Sequence, residues 1–352
     1  MNKSELRRVG ERLIPTIAYG DSVGLPYEGG PAQLPGSVRG LQAMNAKYLG
    51  KQSLGTWSDD THLSIAVARS LIEHDGFDLA SQAKWHIRAL NQVELQPAQL
   101  ADQGLTFYPD MEPAVKTTDG HTGWGAGTTD SVHRLRDENS SPEKSGAPDS
   151  AGNGVLMKMA PLVYWQIARK TPTDEAEQQI VQLTKMTHAA EEAIVCSIVH
   201  QAYLMQLASY TGGQIAIYRM FGGFQSTEAS RIESRRGSKP IVSRYLGALA
   251  EPGYDLNPAR IQLIAPKHGF YAPETLAMAY GSFALSNQLP DAIYRAVELG
   301  GDSDSIGSIV GTMSLFAYGQ QNILTDEHRL FDYTRLQRIS HELTAAAMGE
   351  SK

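Results

Sequence analysis

The 352-residue sequence holds a single cysteine, Cys196. One thiol excludes an intramolecular disulfide and any cysteine-built zinc or iron–sulfur centre, and the apolar neighbours of Cys196 mark it as a packed thiol. Excess positive charge is missing too, since 31 Lys and Arg stand against 38 Asp and Glu for a formal net charge of −7. A mildly acidic chain has no overall field with which to hold nucleic acid or an anionic membrane. No run of about 18 uninterrupted apolar residues occurs, and the opening MNKSELRRVGERLIP lacks the apolar centre of a secretory leader. These absences lead us to expect a soluble, cytoplasmic protein with neither a membrane nor a nucleic-acid partner. Strand signals are as sparse. Only Pro240 to Tyr245 could be extended, and there are no alternating runs joined by hairpin turns and no βαβ rhythm.

What is present is helical periodicity. Leu63, Ala66, Val67, Ser70 and Leu71 form one stripe, and Ile194, Val195, Ile198, Val199, Ala202 and Met205 keep the same phase across Glu191 to Leu207. A third window runs from Pro273 to Leu285, with proline placed for a first helical turn. Asp174 and Glu177 have capping-box spacing after Pro172. The composition, 41% apolar and 20% charged, can bury a sizeable core. We expect an all-α fold in one large compact domain over residues 1–352, with surface loops near 136–150 and 224–239. The second stretch carries Arg231, Arg235, Arg236 and Lys239, which read as a solvated basic face or a partner contact.

Carboxylates stand twice at the expected mouth of an apolar helix, flanked by hydroxyls: Ser58-Asp59-Asp60-Thr61 and Gly301-Asp302-Ser303-Asp304-Ser305. One acid at a helix N-terminus caps free N–H groups and faces the positive end of the helix dipole. Two at each place exceed that need, and four brought together would raise one another's pKa unless a cation neutralised them. Hard oxygen donors without His or Cys suit Mg²⁺, Mn²⁺ or Ca²⁺. The pairing therefore points to a shared metal site joining distant parts of the chain. A further segment, GDSVGLPYE at 20–28, combines small residues for close packing with an acid, Glu28.

Two glycine-rich runs, Gly123 to Thr129 and Gly152-Asn153-Gly154, can bring backbone N–H groups against a phosphate. Neither is a Walker A loop or a dinucleotide fingerprint. His188, ahead of a helix expected from about Ala189, reads as a capping or packing residue or as a ligand contact.

Taken in order, these segments resemble the ADP-ribosylglycohydrolase family. The resemblance rests on GDSVGLPYE (20–28), GTWSDDTHLSIAVA (55–68), GAGTT (125–129), GNGVLMKMAPL (152–162), Thr187-His188 and GGDSDSIGSIVG (300–311). It implies an all-α domain with a binuclear Mg²⁺ or Mn²⁺ centre, and hydrolysis that removes ADP-ribose from a modified side chain. By the family pattern Ser58, Asp59, Asp60, Asp302, Asp304 and Ser305 would be metal ligands. Gly125, Gly127, Thr128, Gly152, Asn153, Gly154 and His188 would hold ADP-ribose, while Glu28, Asp59 and Asp60 would move protons, with Glu28 the leading base.

Two departures from the pattern matter. Ser58 and Ser305 replace threonines and keep the hydroxyl. Some relatives carry an acid just before the Thr-Thr pair, where this chain has Trp124, Gly125, Ala126 and Gly127, so no proton donor carries over there. The expected substrate is an ADP-ribosylated protein, linked first through arginine, with a serine linkage or O-acetyl-ADP-ribose as alternatives, and the reaction would serve regulation or immunity to a cognate ADP-ribosyltransferase. A non-catalytic ADP-ribose-binding or toxin-blocking protein is the contrasting expectation.

Overall fold

A computed structural model describes residues 1–43, 48–50, 54–117, 123–209, 224–250, 256–286, 288–319 and 324–350. Among them are fifteen α-helices and one short antiparallel pair of strands, β1 (Tyr48–Gly50) and β2 (Val115–Thr117), with Tyr48 opposite Thr117. The expected all-α class is thus what the chain adopts.

The fold is organised around α1 (Lys3–Gly24). Its start is fixed locally: Asn2 Oδ1 accepts from the Glu5 N–H at 3.0 Å and Glu5 Oε2 accepts from the Asn2 N–H at 2.7 Å, a reciprocal capping box. From Leu13 to Gly24 every residue is buried, so the second half of this helix has no solvent face. A helix apolar all round belongs in the centre of a core. Pro15 removes one intrahelical donor, and the neighbouring Ile14 N–H is bonded to Ser340 Oγ at 2.9 Å, which ties α1 to α15 (Tyr333–Ala347). Against the opposite end of α1 lies α14 (Ser303–Tyr318), also buried along most of its length.

The α1–α14 crossing is made by glycines. A Cβ at Gly20 would sit 2.4 Å from the Gly307 carbonyl oxygen, and one at Gly24 would sit 2.3 Å from that of Ser303. The obstacle in each case is backbone, which cannot rotate away. We expect Gly20→Ala to destabilise the chain by about 2–4 kcal/mol through forced separation of the two helices, measured by urea denaturation; an unchanged midpoint would show that the crossing yields.

Around this centre pack α2 (Asp59–His74), α3 (Leu79–Glu94), α4 (Pro97–Asp102), α5 (Ala126–Asp137), α6 (Ala160–Arg169), α7 (Thr173–Lys185) and α8 (Glu191–Ser209). They are followed by α9 (Phe224–Arg236), α10 (Val242–Leu249), α11 (Pro258–Ile264), α12 (Ala272–Ala284) and α13 (Leu289–Glu298). The helices expected from Glu191 and Pro273 are α8 and α12. One hydrophobic cluster runs from Val9 to Ala347 and includes Cys196, which is fully buried. No helix of the described residues is long and apolar enough to cross a membrane.

Four local expectations are corrected. Residues 224–236 form helix α9 rather than a loop. Its arginines are ion-paired, Arg231 with Glu228, Arg235 with Glu177 of α7 and Arg236 with Glu191 of α8, while Arg231, Arg235 and the following Lys239 stay exposed as a solvated face does. Ala229 and Ile232 turn inward and are fully buried. Pro240 to Tyr245 is not extended: α10 begins at Val242, and the buried Glu233 carboxylate accepts from the Val242 N–H at 2.7 Å and so caps it from another helix. At α7 the helix starts two residues earlier than the capping-box spacing suggests, with Pro172 in the cap position and no side-chain cap. The 136–150 stretch begins inside α5, and its later part is not all surface. Ser145 and Gly146 are buried against residues 185–188, with Ser145 Oγ donating to the Met186 carbonyl at 2.7 Å.

Candidate metal centre and ligand cavity

The site forms where the N-termini of α2 and α14 face the far end of α1. Asp21, on α1, is fully buried and accepts from the Ser58 N–H through both oxygens at 2.9 Å, from the Thr61 N–H at 3.1 Å and from Thr61 Oγ1 at 2.6 Å. Capping of α2 is therefore supplied largely from another helix. Asp59 and Asp60, which stand in the first turn, are left to face the cavity. Ser58 Oγ completes the cap weakly, accepting from the Asp60 N–H at 3.4 Å, and donates to Asp60 Oδ2 at 3.1 Å. Asp21 is a residue that sequence reasoning missed. It lies in the GDSVGLPYE segment, and its signal was an acid amid small residues on what proves to be a wholly buried stretch of helix.

From α14, Asp302 occupies the cap position without making a side-chain cap, and its Oδ2 accepts instead from Asn153 Nδ2 at 2.5 Å. Ser305 Oγ lies 3.4 Å from Asp60 Oδ2, linking the two acidic motifs directly. Carboxylate oxygens of Asp21, Asp60 and Asp304 lie within 4.8 Å of one another, as do those of Glu28, Asp302 and Asp304. Asp304 belongs to both groups. Asp59, expected as a ligand, belongs to neither, although it lines the same cavity.

Crowding sets the electrostatics. Burial first, then neighbouring acids, lifts Asp59 to about 8, with Asp21 and Glu28 adding to the push. Burial raises Asp21 and Asp302 to about 6 against the opposing pull of their hydrogen bonds. Asp60 and Asp304 are driven well above the carboxylate range by burial and by the surrounding acids. Asp60 Oδ1 is buried with no hydrogen-bond partner among the described residues. An orphaned carboxylate oxygen inside a ring of oxygen donors, with no His or Cys among them, is the chemistry that fits a hard divalent cation.

The cluster opens into a cavity of about 500 Å³. Of the residues expected at the site, all but Ser58 line it. A second part of the wall, which meets the acids where Asn153 donates to Asp302, is built from the first turn of α5 and the loop at 152–154, with His188 wedged against both. A Cβ at Gly154 would lie 2.8 Å from His188 Cε1 and 2.8 Å from Thr128 Oγ1, so this wall admits glycine for want of space. Trp124, Met157 and Phe270 add apolar surface. The α5 N-terminus has no side-chain cap, and a helix start with open N–H groups suits an anion.

His188 does not cap α8, which begins at Glu191. It is buried, and burial with the nearby Lys158 charge takes its pKa down to about 3, so the ring is neutral. Lys158 is the second residue that sequence reasoning missed. It is fully buried, and burial lowers its ammonium to about 7 against the raising pull of Asp59. Its only signal was a lone charge within the apolar run VLMKMAPL.

Comparison with known proteins agrees with this geometry. The chain is 25% identical over 307 residues to a Pseudomonas putida (strain GB-1) protein named ADP-ribosylarginine hydrolase Tri1, covering 86% of this chain and 68% of that protein. A solved structure titled "ADP-ribosylglycohydrolase-related protein complex" superposes with a TM-score of 0.66 at 23% identity, covering 99% of this chain and all of the other, and so shares the fold. The ADP-ribosylglycohydrolase family model matches residues 16–351. On that match, the chain belongs to the ADP-ribosylglycohydrolase family and is an ADP-ribosyl hydrolase.

Proposed function

We propose that the chain hydrolyses the bond between ADP-ribose and a modified arginine side chain of a protein, restoring the arginine. The observation that carries this reading is the pair of carboxylate groups sharing Asp304 in a cavity whose adjoining wall is glycine loops and a neutral histidine. The acids suit cations and ribose hydroxyls, and the adjoining glycine wall an anionic diphosphate. The name of the Pseudomonas relative supports arginine as the acceptor. An ADP-ribosyltransferase must install the modification that this reaction removes.

In this reading Asp21, Asp60 and Asp304 hold one divalent cation and Glu28, Asp302 and Asp304 a second, Mg²⁺ or Mn²⁺ by donor chemistry, with Ser58 and Ser305 holding Asp60 in place. Such cations lower the pKa of water and orient hydroxyl groups when bound. Glu28 takes the proton from the attacking water, and Asp59, which neither carboxylate group uses, serves the leaving nitrogen. Gly125, Gly127, Thr128, Gly152, Asn153, Gly154 and His188 bind the nucleotide portion and hold the anomeric carbon toward the acids.

The test is release of ADP-ribose from arginine-modified and serine-modified peptides, with Mg²⁺ or with EDTA. We expect metal-dependent release from the arginine peptide, its loss in Asp302→Ala, and, at saturating Mg²⁺, a fall of about 10²–10⁴-fold in turnover for Glu28→Gln. Release from the serine peptide alone would reassign the linkage. Full turnover in Glu28→Gln would remove it as the base, and no release despite bound metal would favour a binding role.

A further inference from the structure

Lys158 has no part in the reaction outlined above, yet it is a cation buried beside the reactive cavity. Its Nζ donates to Thr187 Oγ1 at 3.1 Å. The same oxygen lies 2.9 Å from His188 Nδ1. Thr187 is fully buried, and these are the two hydrogen bonds its hydroxyl makes among the described residues.

The direction of this chain follows from the donor inventory. Below about pH 7 Lys158 is an ammonium, which gives protons and has no lone pair, so Thr187 Oγ1 accepts from it. The one acceptor left for the hydroxyl's own proton is His188 Nδ1, and any other arrangement leaves a buried hydroxyl proton unpaired. A neutral imidazole whose Nδ1 accepts carries its proton on Nε2. That atom faces the glycine wall, since Cβ atoms built at Gly127, Gly152 and Gly154 would lie 3.5, 3.3 and 3.2 Å from it.

We propose that Lys158 and Thr187 are positioning residues that fix His188 as the neutral Nε2–H tautomer, so that the glycine wall offers one N–H donor to a phosphate oxygen of the ligand. The ligand half of this inference rests on the ADP-ribosyl reading of the cavity; the tautomer half does not. The other tautomer would turn a lone pair toward the wall and repel an oxygen that only accepts. The arrangement explains why a cation is buried at a place where, among the described residues, it makes no ion pair: it sets the polarity of a hydrogen-bond relay. It also explains why His188 need not be charged to meet an anion.

The experiment reads the tautomer directly. In chain labelled with ¹⁵N-histidine, long-range ¹H–¹⁵N correlation at pH 6, with His188 assigned by its loss in His188→Gln, should show an unprotonated Nδ1 and a protonated Nε2. Thr187→Val should give a mixture of tautomers, and ADP-ribose affinity measured by calorimetry with Mg²⁺ present should fall about tenfold, the effect of one hydrogen bond. Thr187→Ser should restore both. Lys158→Met, which exchanges a buried ammonium for an apolar chain of similar length and so should fold, is expected to free the hydroxyl to accept and again mix the tautomers. A native Nδ1–H tautomer, or an unaltered tautomer in both Thr187→Val and Lys158→Met, would overturn the proposal. The expected tautomer in a native chain that binds no ADP-ribose would leave the relay standing and sink the ADP-ribosyl reading of the cavity.

Discussion

Replacing Asp304 by Asn is expected to abolish hydrolysis and, in EDTA at pH 8, to raise the melting temperature. The two effects have one cause. Asp304 is the carboxylate common to both candidate cation sites, and it is buried among Glu28, Asp60, Asp302 and Asp21. With cations bound, losing it weakens both sites at once, and activity should drop at least about a thousandfold. Without cations, the same residue contributes repulsion and an unfavourable desolvation. Asparagine keeps the shape and removes the charge, so the metal-free variant should melt about 2–5 °C higher than the native chain. The measurement is thermal unfolding followed by circular dichroism, beside the release assay. A lower melting temperature in EDTA would mean that the acids stabilise the fold by themselves, and the case for cations would fail.

The stability of the metal-free chain should also fall as pH rises, in a defined window. Asp21 and Asp302 titrate near 6 and Asp59 near 8, against an ordinary 3.8 for the unfolded chain, and burial and the neighbouring acids raise Asp60 and Asp304 as well. Above about pH 4 the unfolded chain has released protons that the folded chain still holds, so each step up in pH favours unfolding. The contribution of these five groups is therefore fully present below 3.8 and is lost progressively as pH rises through 6 toward 8 and beyond. A divalent cation should reverse the trend, because it binds the ionised cluster of the folded state only. At a hundredfold excess over its dissociation constant it adds about 2.7 kcal/mol. Melting scans at pH 5 and pH 8, each with Mg²⁺ and with EDTA, should show a small metal shift at the first pH and a large one at the second. Equal shifts at both would separate metal binding from the titration of these acids.

The parts of this architecture legible in the sequence are those whose cause is local. The phase of Ile194, Val195, Ile198 and Val199 is a property of one helix, and α8 follows from it. The two acidic motifs were readable because doubled carboxylates at a helix start exceed what capping requires. Features caused by distant partners were not readable. Residues 224–236 look like a polar loop until Glu177 and Glu191, on other helices, supply counter-charges for Arg235 and Arg236. The helix at Val242 depends on a cap from Glu233 rather than on its own first turn. Asp21 belongs to the site because the fold sets α1 beside the start of α2, and the small residues around it report close packing without naming the partner helix. Lys158 is the same kind of case, since its partner Thr187 lies on the far side of two helices in sequence.

The glycine crossing of α1 and α14 also makes the site a matter of timing. Asp21 and Asp60 reach Asp304 only after Gly20 and Gly24 have seated against the segment containing Ser303 and Gly307. Until α14 and its cap residue Asp302 pack, the chain before them carries two of the three acids of one group and one of the three of the other, without the crowding of the completed cluster. The energetically awkward gathering of five buried or half-buried acids is thereby tied to one packing event, the seating of α14 on α1.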